Sequence, residues 1–188
     1  MPEGKYRDLL KQRGFVAFLC TQFLGALNDC TYKMVVSLLA VNTASGFAEG
    51  GKIIAVAAFI FNVPYFLFSG YAGYVADVIN KRKVLIVVKL FEIVAMSIAF
   101  IAFFSNSINI MLFVLFLMAT QSAFFSPSKY GILPEMLPDK DLSRANALLE
   151  MTTFVAIVIG ATLGGVMCQF WADQLGRIGL VLIFFFFL

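Results

Sequence analysis

Histidine is absent from the 188 residues, and charged residues are scarce, at 13% of the chain. The absence of histidine excludes a histidine-based catalytic triad, a metal site with histidine ligands and the His-x4-Asp chemistry of glycerolipid acyltransferases. The three cysteines (Cys20, Cys30 and Cys168) lie in apolar runs without metal-ligand spacing, so we interpret them as small apolar residues. We therefore expect no enzyme active site, cofactor or metal within these residues.

Apolar residues are abundant instead, at 61% of the chain against about 45–50% in soluble proteins, and the mean hydropathy is +0.92. Long apolar runs recur without strand-like alternation, and helices satisfy their own backbone hydrogen bonds in lipid. We therefore predict an all-α membrane protein with five complete transmembrane helices and a truncated sixth. The predicted helices lie at residues 14–41, 53–76, 84–104, 108–125, 146–171 and 179–188. Because the last run is about half the length that spanning needs, we expect the sequence to be partial.

The first predicted helix carries polar side chains deep inside an apolar run: Asn28, Asp29 and Lys33. A charge near the middle of a bilayer costs about 2.5–3.5 kcal/mol on insertion scales, so it should face a cavity or a partner. Asp29 and Lys33 are four residues apart on one helix face, where they could neutralise each other. Lys33 could instead extend to the membrane surface, whereas Asp29 is too short to do so. The pattern favours a functional role for Asp29.

The third predicted helix contains Lys89 and Glu92, three residues apart on one face. Because Lys89 is near the start of the helix, an ion pair or an extension to the membrane surface explains it. Glu92 lies deeper and needs a partner.

A short polar stretch, Gly73–Lys83, lies between the second and third apolar runs and is expected to form a loop. It has the pattern Gly73-x-x-x-Asp77 followed by three cations. Ten Lys and Arg residues lie on the side of this loop and of the N-terminus, against two, Lys52 and Arg177, on the other side. This asymmetry predicts a cytoplasmic N-terminus. The cations are either a topology signal alone or part of a gate.

Prolines follow the fourth predicted helix in Ser126–Glu135 and are expected to end it near Phe125, because proline removes a helical hydrogen bond. A polar segment containing Asp139, Lys140, Asp141 and Arg144 comes next. The fifth helix has Glu150 near its start and Gly160-x-x-x-Gly164 in its body, a pattern that lets two helices approach closely.

Three stretches (Phe23–Asp29, Gly73–Val84, and Ser126–Glu135 with Leu142–Glu150) resemble the bacterial lysophospholipid transporter family of the major facilitator superfamily. Ser126-Pro-Ser-Lys-Tyr-Gly-Ile-Leu is the most specific part. The chain resembles the N-terminal half of a twelve-helix transporter, with the C-terminal half missing. It departs from the family at Cys30, which follows Asn28-Asp29 where the family has an Asn-Asp-Asn-like run. No proline follows Gly164, which disfavours an antiporter.

The resemblance implies translocation of a lysophospholipid, such as lysophosphatidylethanolamine, across the bacterial inner membrane by alternating access. Its implied partners are membrane lipid, the lysophospholipid substrate and the C-terminal half of the transporter, and not nucleic acid. The substrate-binding candidates are Asn28, Asp29, Lys33, Lys89 and Glu92. The gating candidates are Gly73, Asp77, Arg82, Lys83, Lys129, Glu135, Arg144 and Glu150.

Some members of that family are fused to an acyltransferase and an acyl–acyl-carrier-protein synthetase. An alternative hypothesis is therefore that the chain is the membrane domain of such an enzyme, a fused 2-acylglycerophosphoethanolamine acyltransferase. The catalytic domains would then lie beyond residue 188. A third hypothesis is a carrier of another small solute.

Overall fold

The computed structural model describes residues 6–43, 47–171 and 174–187, which form helices and their connections without any strand. The helices are α1 (Tyr6–Leu9), α2 (Arg13–Thr43), α3 (Phe47–Val78), α4 (Lys81–Phe104), α5 (Ile108–Gly131), α6 (Leu133–Met136), α7 (Asp139–Trp171) and α8 (Leu175–Phe187). Among the described residues, α2, α3, α4, α5 and α7 are long and apolar enough to cross a membrane. The predicted all-α fold with five complete spanning helices is confirmed, and the shorter α8 follows them.

The observed helices extend further than the predicted ones. Helix α3 begins at Phe47 rather than at residue 53. Glu49 and Gly50 are therefore helical, although the gap between the first two predicted helices, at residues 42–52, was expected to be a loop. Ser45 and Gly46 of that expected loop lie outside the described residues. Helices α4, α7 and α8 likewise begin several residues before their predicted starts. Hydropathy marks only the part of a helix that lies in lipid, whereas backbone hydrogen bonding continues into the polar surface.

The connection between α3 and α4 is much shorter than the loop predicted at Gly73–Lys83. Gly73 and Asp77 belong to the last turns of α3, and only Ile79 and Asn80 separate α3 from α4. The Asn80 side chain accepts hydrogen bonds from the backbone N–H groups of Arg82 at 3.0 Å and Lys83 at 3.4 Å. These are among the N–H groups that a helix start leaves unpaired, so Asn80 lets α4 begin at once.

The expected break after Phe125 is also wrong, because α5 continues through Pro127 to Gly131. A transmembrane helix tolerates proline where nearby groups satisfy the freed backbone. The carbonyl that lacks its N–H partner here is that of Ala123, four residues before Pro127. One residue before the proline, the Ser126 hydroxyl donates to the Ser122 carbonyl at 2.9 Å. The chain turns only at Ile132, just before the short α6. The extra turn carries Lys129 as part of α5.

Helix α7 packs along α2 through its small residues, as the Gly160-x-x-x-Gly164 pattern predicts. A Cβ atom at Gly160 would lie 2.6 Å from the Leu27 carbonyl oxygen, and one at Gly164 would lie 2.8 Å from Cβ of Met34. Helices α3 and α4 pack against α5, and α8 packs against α4. The five spanning helices therefore form one bundle, in which α2 and α5 each contact several partners.

Two apolar clusters occupy opposite ends of the bundle. One contains Val35 of α2, Phe103 of α4 and Leu115 of α5, and the Tyr32 hydroxyl donates to the Met111 carbonyl beside it at 2.9 Å. The other joins α1, the start of α2, α6 and the start of α7, around Leu9, Phe15, Leu133 and Leu149. The buried polar residues among the described ones lie on α2, α4 and α5.

We predict that Gly160→Leu destabilises the protein, because its side chain would collide with the backbone of α2. Overpacking of this kind costs about 1–3 kcal/mol. The matched control is Gly165→Leu, since a Cβ at Gly165 has no neighbour within 4 Å. Thermal unfolding of the purified intact protein in detergent should show a lower Tm for the first variant only. Equal Tm values for the two variants would contradict the close α2–α7 contact.

Candidate functional site

A polar cavity of about 150 Å³ lies inside the bundle, between the two apolar clusters. Five helices line it. The lining residues are Gln22, Gly25, Ala26 and Asp29 of α2, Tyr65 of α3, Lys89 of α4, Gln121, Ser122, Phe125, Ser126 and Lys129 of α5, and Thr153 of α7. We refer to it as the polar cavity. At about 30 Å³ per water molecule it has room for roughly five waters, so it matches a small polar group.

Asp29 occupies the inner end of the polar cavity. Its Oδ2 accepts a hydrogen bond from the Ser122 hydroxyl at 2.7 Å, whereas its buried Oδ1 has no donor among the described residues. Ser122 is about 13 Å of helix from the end of α5, at ~1.5 Å per residue. The Oε1 atom of Gln121 is likewise buried without a described donor. Two unpaired acceptors at this depth suit a ligand that donates hydrogen bonds.

Lys89 and Glu92 form the ion pair that their spacing predicts. Lys89 Nζ lies 2.7 Å from Glu92 Oε2, and Glu92 is fully buried. The Lys89 ammonium group and the Glu92 carboxylate both interact electrostatically with the Asp29 carboxylate. A Cβ atom at Gly25 would lie 2.6 Å from Lys89 Nζ, so the glycine makes the room that the ammonium group occupies. The ring of Phe125 is 5.4 Å from the same ammonium group.

Lys129, a gating candidate, is buried at the other end of the polar cavity. Its Nζ donates to the Thr153 hydroxyl at 3.2 Å and lies 3.7 Å from Glu150 Oε1. The Thr153 hydroxyl donates to Gln22 Oε1 at 3.1 Å, and the Tyr130 hydroxyl donates to Glu150. These contacts place a cation on the side of the cavity nearer to the membrane surface, and they link α2, α5 and α7.

Three substrate-binding candidates do not line the polar cavity: Asn28, Lys33 and Glu92. Glu92 pairs with Lys89, which does line it. The Asn28 side chain is buried, and its Nδ2 donates to Met96 Sδ at 3.2 Å. The Lys33 ammonium group lies 4.2 Å from the centre of the Phe61 ring. The expected neutralisation of Asp29 by Lys33 is wrong, because within the described part of the chain Asp29 bonds Ser122 and does not pair with Lys33. Sharing a helix face does not suffice when a partner helix supplies a closer donor.

Sequence reasoning missed Gln22, Gln121, Ser122 and Thr153, which shape the polar cavity. Each is an uncharged polar residue in an otherwise apolar run. Hydroxyl groups in membrane helices often bond only the carbonyl of the preceding turn, as Thr120 does at 2.8 Å. The sequence pattern alone therefore does not distinguish Ser122, which faces Asp29, from Thr120.

The remaining gating candidates do not form one cluster: two of them form separate ion pairs, and the others are exposed or have no close neighbour. Glu135 pairs with Lys81, with Nζ 2.9 Å from Oε1, and Arg144 pairs with Asp141 at 3.3 Å. Of the three successive cations Lys81, Arg82 and Lys83, it is therefore Lys81, which was not a candidate, that forms an ion pair with another helix. Arg82, Lys83 and Asp77 are exposed, and Gly73 has open space at its Cβ position.

Comparisons with known proteins agree with the observed bundle. The chain is 29% identical over 163 residues to the lysophospholipid transporter LplT of Serratia proteamaculans, covering 85% of this chain and 38% of that protein. It is 32% identical over 161 residues to LplT of Escherichia coli strain SE11, with the same shares covered. LplT of Yersinia enterocolitica is 29% identical over 163 residues, or 85% of this chain and 37% of that protein. The chain thus spans less than two fifths of these relatives' length.

No solved structure matches the chain. The family model of the Major Facilitator Superfamily matches residues 18–188. With its apolar spanning helices and its bacterial relatives, the chain is a multi-pass bacterial membrane protein. Since the matching segment includes all but the first 17 residues, the chain belongs to the Major Facilitator Superfamily.

Proposed function

We propose that this chain is the N-terminal half of a transporter that moves lysophospholipids across the bacterial inner membrane by alternating access. The observation that carries the proposal is the polar cavity, in which an incompletely paired carboxylate and two lysines lie between apolar helices. Charges are retained inside a membrane protein mainly where a substrate, ion or partner visits them. The name that these relatives share, lysophospholipid transporter, supports the substrate class. It gives no support to the alternative of a fused acyltransferase.

The zwitterionic head group of a lysophosphatidylethanolamine matches the arrangement of charges. Its ammonium group would donate to Asp29 Oδ1 and Gln121 Oε1, two buried acceptors of cavity-lining residues that have no donor among the described residues. Its phosphate would lie toward Lys89 and Lys129, which line the same cavity. Hydrogen bonds between charged groups are short and strong, so the head group would offset the cost of leaving water. The cavity is too small for the acyl chain, which would lie against apolar surface outside it.

We predict that Asp29→Ala or Asp29→Asn lowers the uptake of radiolabelled lysophosphatidylethanolamine by spheroplasts at least tenfold, with the intact transporter expressed at normal levels. A hydrogen bond to a charged group contributes about 1.5–3 kcal/mol, or more than a factor of ten in binding. The asparagine variant keeps the size and the Ser122 contact. The control is Lys33→Gln, which alters a lysine outside the polar cavity and should change uptake less than twofold. Undiminished uptake by both Asp29 variants would exclude the proposed ammonium site.

The Lys81–Glu135 ion pair is proposed to act as a latch at the end of the bundle where α3 meets α4. It joins α4 to α6 at the membrane surface and is partly exposed, so a rearrangement of the helices can break and remake it. Asp77, Arg82, Arg144 and Glu150, which lie at the same end, would complete the gating surface against the rest of the transporter.

We predict that Lys81→Glu and Glu135→Lys each lower the uptake rate about two- to fivefold, because like charges then face each other. The double variant should recover most of the rate, because it forms the same ion pair with the charges exchanged. The single effects are modest because a partly exposed ion pair contributes up to about 1 kcal/mol. Initial rates of lysolipid uptake by the two single variants and the double variant measure this coupling. A double variant as slow as the slower single variant would contradict a latch formed by this pair.

The N-terminus is proposed to be cytoplasmic, on the basis of the distribution of Lys and Arg. The test is labelling by a membrane-impermeant maleimide in cells that express a variant without Cys20, Cys30 and Cys168. Ser105→Cys, at the α4–α5 turn, should be labelled in intact cells. Ile79→Cys, at the α3–α4 connection, should be labelled only after permeabilisation. The reverse pattern would mean the opposite orientation.

A further inference from the structure

A second cavity, of about 420 Å³, opens on the outside of the bundle between α3 and α4, with α5 as its floor. We call it the α3–α4 groove. Val75 of α3 and Ile79, which follows α3, face Val84 and Val87 of α4 across it, and Phe124 of α5 lies at its base. Its volume falls within the range of about 300–1,000 Å³ that is usual for ligand sites. The groove is thus large enough for a chain-like apolar ligand.

The groove follows from how the helices pack. Helices α3 and α4 both contact α5 extensively but contact each other very little. Where they diverge, the facing positions carry valines, which are too short to close the gap. From Lys83 to Phe91 the groove extends along about 12 Å of α4, at ~1.5 Å per residue. It therefore runs from the membrane surface toward the middle of the bundle.

Lys83 is the one charged residue among the described residues that line the groove. It lies in the first turn of α4, at the membrane-surface end of the groove, and its side chain is exposed. Its two neighbours point elsewhere, because Lys81 pairs with Glu135 and Arg82 lines a different cavity next to α2. The groove therefore combines an apolar channel with a single cation at its mouth.

We propose that the α3–α4 groove binds an anionic phospholipid of the surrounding bilayer, with one acyl chain along the valine-lined walls and the phosphate at Lys83. Apolar contact alone would not select a ligand, since lipid tails are as apolar as the groove. The charge at the mouth supplies the selectivity, because a basic residue beside an intramembrane cleft attracts anionic head groups. This lipid would be a resident of the protein surface, and the site does not depend on which substrate is transported.

The test is native mass spectrometry of the purified intact protein, titrated with phosphatidylglycerol and in parallel with phosphatidylcholine. Lys83→Gln should weaken phosphatidylglycerol binding about fivefold, the contribution expected of one basic residue near a membrane surface. Arg82→Gln is the matched control, because it removes the adjacent cation outside the groove, and it should change the affinity less than twofold. Equal effects of the two variants, or equal binding of the two lipids by the unaltered protein, would overturn the proposal.

A second pair of variants tests the apolar part of the groove. Val87→Trp should fill it and remove the Lys83-dependent binding, whereas Ile86→Trp, on the α2 side of α4, should leave binding intact. Both positions are more than half exposed, at 63% and 51%, so neither substitution disturbs the core. An unchanged thermal unfolding profile checks this. Phosphatidylglycerol binding that persists in Val87→Trp would show that the acyl chain does not occupy the groove.

Discussion

The burial of the Asp29 and Glu92 carboxylates is the constraint on which this structure depends. An ionised group in hydrocarbon is costly, so each carboxylate must find partners before the bundle is stable in a membrane. Glu92 finds Lys89 on its own helix, one turn away, whereas Asp29 finds Ser122 on α5. The second contact forms only when α2 and α5 are packed together. The arrangement of the helices and the polarity of the cavity are therefore specified by the same contact.

The glycines of α7 complete the cavity from the opposite side. Close contact at Gly160 and Gly164 brings α7 against α2, and this places Thr153 beside Gln22. Thr153 in turn accepts a hydrogen bond from Lys129 of α5. A packing pattern without charge thus positions a buried cation, because small residues set the distance at which the polar side chains of three helices meet.

Hydropathy and spacing predicted the number of spanning helices and the Lys89–Glu92 pair, since both depend on one helix at a time. They did not predict that α5 continues through Pro127, or that Ser122 is the partner of Asp29. Contacts between helices depend on the rotation of each helix about its axis, which apolar residues on all sides leave undetermined. For this reason Lys33 was expected beside Asp29 but lies against Phe61.

The cations at the start of α4 show how a run in sequence separates in space. Successive residues on a helix point about 100° apart, so Lys81, Arg82 and Lys83 face three directions. Lys81 pairs with Glu135, Arg82 lines the cavity beside α2, and Lys83 lies at the mouth of the α3–α4 groove. A topology signal depends only on the number of cations on one side of the membrane, whereas a latch and a lipid site depend on the directions in which their side chains point. The three roles are therefore compatible, and substitution of a single lysine or arginine separates them.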